Sequence, residues 1–211
     1  MKIYIKIALY LVVLLGSSWS RADAHVEFFR AIGVDDVGTV RTLLERGFDP
    51  NALSERGQTG LYLAMREGAP RVAAVLLAHP EIRIDAANAV GETALMMAAL
   101  RGQVDWLPRL LDKGAALERT GWTALHYAAS GPETRAVALL LDRGARIDAP
   151  SPNRSTALMM AARYGPESSV DLLLARGADL RLRNDLGLGA ADFARLGGRE
   201  ALAERLQRLE R

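Results

Sequence analysis

A short phrase recurs along this chain at nearly constant spacing. In each copy a threonine follows a glycine or arginine by two residues, a leucine follows two residues later, and small residues come next. The threonines are Thr59, Thr93, Thr123 and Thr156, separated by 34, 30 and 33 residues. A period of about 33 residues is typical of stacked helical hairpins. The pattern therefore predicts an all-α solenoid and argues against most enzyme folds.

A second marker repeats in the same register. A basic residue followed by glycine ends the predicted second helix of several hairpins, at Arg46-Gly47, Lys113-Gly114, Arg143-Gly144 and Arg176-Gly177. We expect the threonines to cap the first helices with their hydroxyl groups. We expect Gly68, Gly102 and Gly165 to end those helices in the left-handed conformation that glycine tolerates.

The quoted phrases resemble the core of the ankyrin repeat. The best matches are Thr-Ala-Leu-His-Tyr-Ala-Ala at 123–129, Leu-Leu-Asp-Arg-Gly-Ala at 140–145 and Leu-Leu-Ala-Arg-Gly-Ala-Asp at 173–179. The resemblance implies an ankyrin-repeat solenoid with about four clear repeats between degenerate N- and C-terminal caps. Its approximate units are 25–56, 57–90, 91–120, 121–153, 154–186 and 187–211. It also implies a protein-binding scaffold, without naming a partner.

Three irregularities interrupt the repeat. The loop before Thr123 is three residues short, so the row of inter-repeat loops, called fingers here, should be uneven in the middle. The second unit has His79-Pro80 where a basic residue and glycine are expected. Pro108 lies in the second helix predicted over 104–112, and proline is tolerated only in a first turn. That helix should therefore begin late or bend.

The first 24 residues resemble a secretory signal peptide. Lys2 and Lys6 form a basic head, residues 7–15 are mostly apolar, and Ala22-Asp23-Ala24 offers small residues at a cleavage site. The alternative is an uncleaved membrane anchor, but only 14 uncharged residues separate Lys6 from Arg21, against the roughly 20 apolar residues needed to span a membrane. We therefore expect a periplasmic protein whose single domain is 25–211.

Charge and cysteine content exclude several classes of protein. The chain has no cysteine, so stability must come from burial, and a lipid-anchored lipoprotein is excluded. Loss of residues 1–24 reduces the 27 basic residues to 24 and the 25 acidic residues to 24. The remaining chain is formally neutral, which argues against nucleic acid and against stable membrane association.

The three histidines offer little chemistry. The resemblance gives His126 the position that typically hydrogen-bonds neighbouring turns, and His79 reads as a loop residue. His25 would become the first residue after cleavage, where its amine and ring could chelate copper, but a tight site needs further imidazoles nearby.

The methionine pairs Met96-Met97 and Met159-Met160 occupy matched repeat positions and are predicted to fill the core. We expect no catalytic residue, no metal and no cofactor. The alternative class is a metal- or small-molecule-handling protein that uses His25 and the methionine pairs.

Binding in such arrays usually occurs on the concave face formed by fingers and first helices. Trp122 should either project there as an anchor or fold over the gap left by the short finger, whereas Trp106 is predicted to be core. The register assigns these residues to the partner-binding face: Arg56, Gln58, Arg66, Glu67, Glu92, Leu100, Arg101, Arg119, Trp122, Ser130, Asn153, Ser155, Arg163 and Tyr164.

The functional prediction is a monomeric, non-enzymatic scaffold or accessory protein that binds another protein in the periplasm. The chain is similar to exported bacterial ankyrin proteins, some of which support a periplasmic catalase. The resemblance therefore implies that a periplasmic enzyme or a stress response is one setting for this function.

Overall fold

The computed structural model describes residues 21–211, and this part of the chain is built from helical hairpins. Apart from one isolated antiparallel bridge between Leu53 and Thr59, it contains no β-pairing. The helices are α1 Arg21–Gly33, α2 Val37–Glu45, α3 Gly60–Glu67, α4 Pro70–Ala78, α5 Ala94–Leu100, α6 Trp106–Asp112, α7 Ala124–Ser130, α8 Thr134–Asp142, α9 Ala157–Tyr164, α10 Glu167–Ala175, α11 Ala190–Leu196 and α12 Glu200–Glu210.

The helices pair in chain order into six hairpins. The first helices, α1, α3, α5, α7, α9 and α11, stack on one another, and each packs against its own second helix. Within residues 21–211, all the substantial helix contacts join helices of the same or neighbouring hairpins. The predicted all-α solenoid, with four regular units between two caps, is confirmed.

Threonine hydroxyls cap the amino ends of three of the first helices, as expected. The Oγ1 atoms of Thr59, Thr93 and Thr156 accept hydrogen bonds from backbone N–H groups three residues later, at 3.2, 3.4 and 3.5 Å. At Thr123 the hydroxyl instead lies 2.9 Å from Nδ1 of His126. Each cap satisfies an N–H group that the helix itself leaves unpaired.

The glycines that end the first helices do so for two different reasons. Gly68 and Gly102 have φ angles of 70° and 65°, in the predicted left-handed conformation. The prediction is wrong for Gly165, whose φ is −86°. A Cβ atom there would lie 2.1 Å from the carbonyl oxygen of Ala129. Glycine is needed at 165 because the backbones of neighbouring repeats approach closely.

The core runs through the whole stack. Leu61, Leu95, Leu125 and Leu158 are each at most 2% exposed, and the alanine pairs of α5, α7 and α9 are fully buried. Small residues allow close helix packing, and the leucines fill the space between layers. Trp106 is buried as predicted. Helix α6 begins at Trp106, so Pro108 falls in its first turn and the predicted late start is confirmed.

The amino-terminal cap begins upstream of the predicted cleavage position. Helix α1 starts at Arg21, and Ala24 packs against the core, so the bond after Ala24 lies within the helix. Residues 1–20 of the predicted signal peptide lie outside the described part of the chain. Across 21–211, no helix has the length and apolar character required to cross a membrane.

Candidate functional site

The fingers are short backbone hairpins. In the full-length fingers a backbone N–H donates to the carbonyl four residues later: Ser54 to Gln58, Asn88 to Glu92, Ser151 to Ser155 and Asn184 to Leu188, at 2.9–3.0 Å. Residues 119–122 form the shortened third finger, and no equivalent bond occurs there in the described chain. The row of fingers is uneven in the middle, as the sequence predicts.

A ladder of side-chain hydrogen bonds joins the base of each finger to the next repeat. A polar side chain four residues after the second-helix glycine accepts a backbone N–H from the next repeat, and the donor lies two residues after the glycine of that repeat. In the second unit, where Pro80 replaces the glycine, the acceptor and the donor each lie one residue further along. The acceptors are Asn51, Asp85, Glu118 and Asp148, and the donors are Arg83, Ala116, Arg146 and Asp179, at 2.7–3.2 Å. The ladder holds the fingers in register on both sides of the short finger.

An apolar cleft of about 240 Å³ opens between the first helices α5, α7 and α9. Its rim contains Tyr164, whose side chain is 55% exposed. We call it the first-helix cleft; it is lined by Leu100, Trp122, His126, Tyr127, Ser130, Met160 and Tyr164. The cleft spans three repeats and brings together four residues that the sequence assigned to the binding face: Leu100, Trp122, Ser130 and Tyr164.

Trp122 packs on helix α7 rather than over the gap left by the short finger, and it borders the cleft. Its ring is partly buried and meets the His126 ring edge-on, with the centroids 5.3 Å apart. The side chain therefore lies down on helix α7 and also forms part of the open cleft wall. A partly buried aromatic ring of this kind offers a rigid apolar contact with little loss of conformational freedom on binding.

His126 supports the cleft floor. Its Nδ1 accepts the backbone N–H of Thr123 at 3.2 Å, so Nε2 carries the proton that it donates to the Ser155 carbonyl at 3.0 Å. Burial lowers the pKa of the imidazole, although the bond to Ser155 acts in the opposite direction. The expected structural role is confirmed: a neutral His126 joins one repeat to the next.

Glu92 is a structural hub as well as a surface residue. Its carboxylate accepts hydrogen bonds from the hydroxyls of Tyr62 and Tyr127, each at 2.8 Å, and from the Asn88 amide at 2.7 Å. Burial opposes the charged form, but these hydrogen bonds outweigh it and lower the pKa of Glu92. Burial and the bond to Glu92 raise the pKa of Tyr62 to about 12, and they also raise the pKa of Tyr127. The hub ties helices α3 and α7 to the finger that precedes α5.

A second group of predicted residues lies at the amino-terminal cap. Arg56, Gln58, Arg66 and Glu67 line a hollow of about 330 Å³ together with residues of helix α1. The Arg66 guanidinium pairs with Glu67 at 2.6 Å and donates to Gln58 at 3.0 Å. Arg66, Glu67 and Gln58 already satisfy one another, so they offer less to a partner than unpaired groups would.

The remaining predicted residues are scattered. Arg101 is exposed beside the cleft, and the Arg163 guanidinium lies 4.9 Å from the ring centroid of Tyr164. Asn153 is exposed in the fourth finger, and Arg119 lies in the short one. Ser155 is only 1% exposed, because its carbonyl is drawn inward to His126, so its side chain cannot contact a partner on the surface.

The side chains suggested for metal binding are engaged in hydrogen bonding or packing. His25 Nε2 lies 2.7 Å from the Leu53 carbonyl, while Met96, Met97 and Met159 are buried as predicted. Met160 differs from the core prediction, because it is only partly buried and lines the cleft. Among residues 21–211, no group of three or more histidine or acidic side chains is placed to hold a metal ion.

Besides His126, to which it gave only a structural role, sequence reasoning missed two cleft residues, Tyr127 and Met160. Both follow the helix-capping threonine by four residues, the position that Met97 also occupies. Met97 is 6% exposed, whereas Tyr127 and Met160 are partly exposed at the cleft. The repeat position alone could have nominated them, because equivalent positions share one face of the stack.

The family comparison agrees with this architecture. The model for ankyrin repeats (three copies) matches residues 28–120 and 110–184. The chain belongs to the ankyrin-repeat proteins. Two relatives are similar over long stretches: the mouse B-cell lymphoma 3 protein homolog is 32% identical over 152 residues, 69% of this chain and 34% of its own length. Protein glp-1 of Caenorhabditis elegans is 28% identical over 203 residues, 89% of this chain and 16% of its own.

A high-identity match covers less of the ankyrin array. The human ankyrin repeat and KH domain-containing protein 1 is 40% identical over 100 residues, 45% of this chain and 4% of its own length. The chain thus spans at most about a third of these curated relatives.

A solved structure resembles nearly the whole fold. It is a chain of the complex between the predatory endopeptidase Bd0816 of Bdellovibrio bacteriovorus and the immunity protein Bd3460. The TM-score is 0.72 and the sequence identity 28%, and the match covers 86% of this chain and 97% of the other. The ankyrin repeats identify the present chain as a protein-interaction scaffold, in line with that neighbour's place in a complex.

Proposed function

We propose that this ankyrin protein is an exported, non-enzymatic accessory protein or inhibitor that binds a periplasmic enzyme through its first helices. The observation that carries the proposal is the first-helix cleft. It is an apolar opening across three repeats, and an exposed tyrosine and a partly exposed tryptophan form its walls. Aromatic residues in pockets of this kind dominate the binding energy of protein interfaces.

Two further observations support the partner class and the compartment. The similar solved structure contains an immunity protein in complex with an endopeptidase, which makes an enzyme a reasonable partner here. The first 24 residues have the basic, apolar and small-residue sections of a secretory signal peptide. On this proposal the protein acts as a monomer without a cofactor.

The binding experiment compares capture from periplasmic extract by wild type and by Trp122→Ala and Tyr164→Ala. Loss of an aromatic anchor should weaken capture at least thirtyfold, corresponding to about 2 kcal/mol. Leu186→Ala is the matched control, because Leu186 is 78% exposed and lies outside the lining of the cleft. Thermal melting of each variant should stay close to wild type. Equal capture by all four proteins would contradict the cleft as the binding site.

Export is tested separately. Replacement of Leu11 and Val13 by arginine should destroy the apolar section and keep the precursor in the cytoplasm. Wild type should appear in the periplasm with His25 as its first residue. A membrane-bound wild-type protein with an intact amino terminus would instead support the anchor.

A further inference from the structure

The shortened finger leaves a gap in the ankyrin face. Residues 119–122 replace a seven-residue finger, and a hollow of about 410 Å³ lies between them and the fourth finger. It is lined by Glu118, Arg119, Thr120, Gly121, Arg146, Ala149 and Pro150. We call it the finger gap. Both cationic side chains in its wall are arginines.

Within residues 21–211, neither guanidinium group of the finger gap has a hydrogen-bond acceptor. The Nη1 atom of Arg119 is shielded from solvent and has no hydrogen-bond partner in the part of the chain that the structure describes. No carboxylate of the described chain forms an ion pair with the guanidinium of Arg119 or Arg146. Glu118, the one acidic residue in the wall, accepts the backbone N–H of Arg146 through Oε1 at 2.9 Å. A shielded N–H group without an acceptor is energetically unfavourable, so the gap lacks a hydrogen-bond acceptor for Arg119.

The finger gap adjoins the first-helix cleft. Gly121 lines the gap, and the next residue, Trp122, lines the cleft. A segment of a bound protein that places an apolar side chain against Trp122 can therefore bring its neighbouring residues to Arg119 and Arg146. A guanidinium pairs with a carboxylate in a planar, two-bond geometry that a neutral amide does not match in strength.

We propose that the finger gap receives a glutamate or aspartate side chain from the partner, next to an apolar side chain in the first-helix cleft. The partner segment is thus a protein loop that carries an aromatic or large aliphatic residue and an acidic residue close together. This inference rests on the proposed function and specifies the chemistry of the partner.

The test titrates the full chain with two synthetic peptides while the indole N–H signal of Trp122 is followed by NMR. The peptides are Phe-Gly-Gly-Glu-Glu and Phe-Gly-Gly-Gln-Gln, with blocked ends. The glutamate peptide should bind about tenfold more tightly, because a charge-assisted hydrogen bond replaces a neutral one. Added salt should reduce that preference.

Variants show which residues cause the preference for the glutamate peptide. Arg119→Gln and Arg146→Gln should each abolish most of the tenfold difference while melting like wild type. Arg135→Gln is the matched control, because Arg135 is an exposed arginine of helix α8 outside both hollows, and it should retain the difference.

Equal binding of the two peptides, or a preference unchanged in both gap variants, would overturn the proposal. So would an absence of measurable binding by either peptide. Saturation of the gap by inorganic phosphate, with no response to the glutamate peptide, would also overturn it. If Trp122→Ala loses the captured partner and Arg119→Gln does not, the proposed function stands and this inference fails.

Discussion

At the scale of single residues, Glu92 connects three parts of the stack. Its carboxylate receives hydrogen bonds from Tyr62, Asn88 and Tyr127, which come from the repeat before it, its own finger and the repeat after it. Hydrogen bonds to a charged acceptor are stronger than neutral ones. The Tyr127 ring also lines the first-helix cleft, so Glu92 fixes one wall of the proposed binding surface.

Glu92→Gln should destabilise the protein by about 1–3 kcal/mol near pH 7. The amide is neutral, and its NH2 group would face the hydroxyl and amide groups that now donate hydrogen bonds to the carboxylate. The pKa of Glu92 is lowered in the folded protein, so the charged form contributes stability above the ordinary glutamate pKa. That contribution is lost as the pH falls through the lowered folded value. Urea unfolding of wild type and variant over a pH series should therefore show a difference that shrinks in acid.

The control for that series is Glu55→Gln, since Glu55 is exposed in the first finger. Its effect should stay within about ±0.5 kcal/mol at every pH. A difference between wild type and Glu92→Gln that is constant from neutral to acidic pH would show that the Glu92 charge does not stabilise the fold.

Arg154 occupies a position that other fingers give to glycine. Its φ is 62°, and the equivalent residues Gly57, Gly91 and Gly187 also have positive φ angles. A side chain in this conformation costs on the order of 1 kcal/mol. Arg154→Gly should therefore raise the free energy of unfolding by up to about 1 kcal/mol, after allowance for the greater freedom of glycine in the unfolded chain.

The reverse change supplies the comparison. Gly187→Ala places a Cβ in open space at φ 73°, so it should lose about 1 kcal/mol through backbone strain alone. Denaturant midpoints measure both variants. A loss of stability in Arg154→Gly would indicate that the arginine side chain compensates for its strained backbone.

At the scale of elements, the finger ladder adapts to the missing residues. Asparagine or aspartate accepts the cross-repeat hydrogen bond at three fingers, whereas the short finger uses the longer side chain of Glu118. Glu118 Oε1 lies 2.9 Å from the Arg146 backbone nitrogen. The extra methylene group keeps the ladder continuous where the loop is truncated.

Glu118→Asp should therefore break the hydrogen bond to Arg146 and cost about 0.5–1.5 kcal/mol. Asp148→Asn is the control, because Asn51 already performs this role with an amide oxygen, and it should stay within about 0.5 kcal/mol of wild type. Amide exchange at Arg146 should accelerate in the first variant only. Unchanged exchange at Arg146 would show that the side-chain bond does not anchor the finger.

The sequence predicts these elements well and the site less well. The repeat of threonines and glycines is local chemistry, so the hairpins, the short finger and the late start at Trp106 could all be predicted. Gly165 and Ser155 were misjudged because their environments depend on Ala129 and His126 of the preceding repeat. The finger gap also needs two repeats side by side. A sequence pattern within one repeat unit carries no information about the contacts between units.

At the scale of the whole molecule, the stability of each repeat depends on its contacts with the neighbouring repeats. The substantial helix contacts of residues 21–211 join only helices of the same or adjacent hairpins. In arrays of this kind the total stability is close to a sum of unit and interface contributions. The first-helix cleft lies on three middle units, where both neighbours are present.

Leu125→Ala tests this one-dimensional organisation. Leu125 is 1% exposed between stacked first helices, so its truncation should cost about 2–5 kcal/mol. Because coupling is between neighbours, hydrogen exchange should accelerate most in α7 and next in α5 and α9, with little change in α1 and α12. Leu209→Ala, at a residue 61% exposed, should leave exchange near wild type. An equal rise in both caps and the middle would mean that the molecule unfolds as one unit and that the cleft cannot loosen independently of the caps.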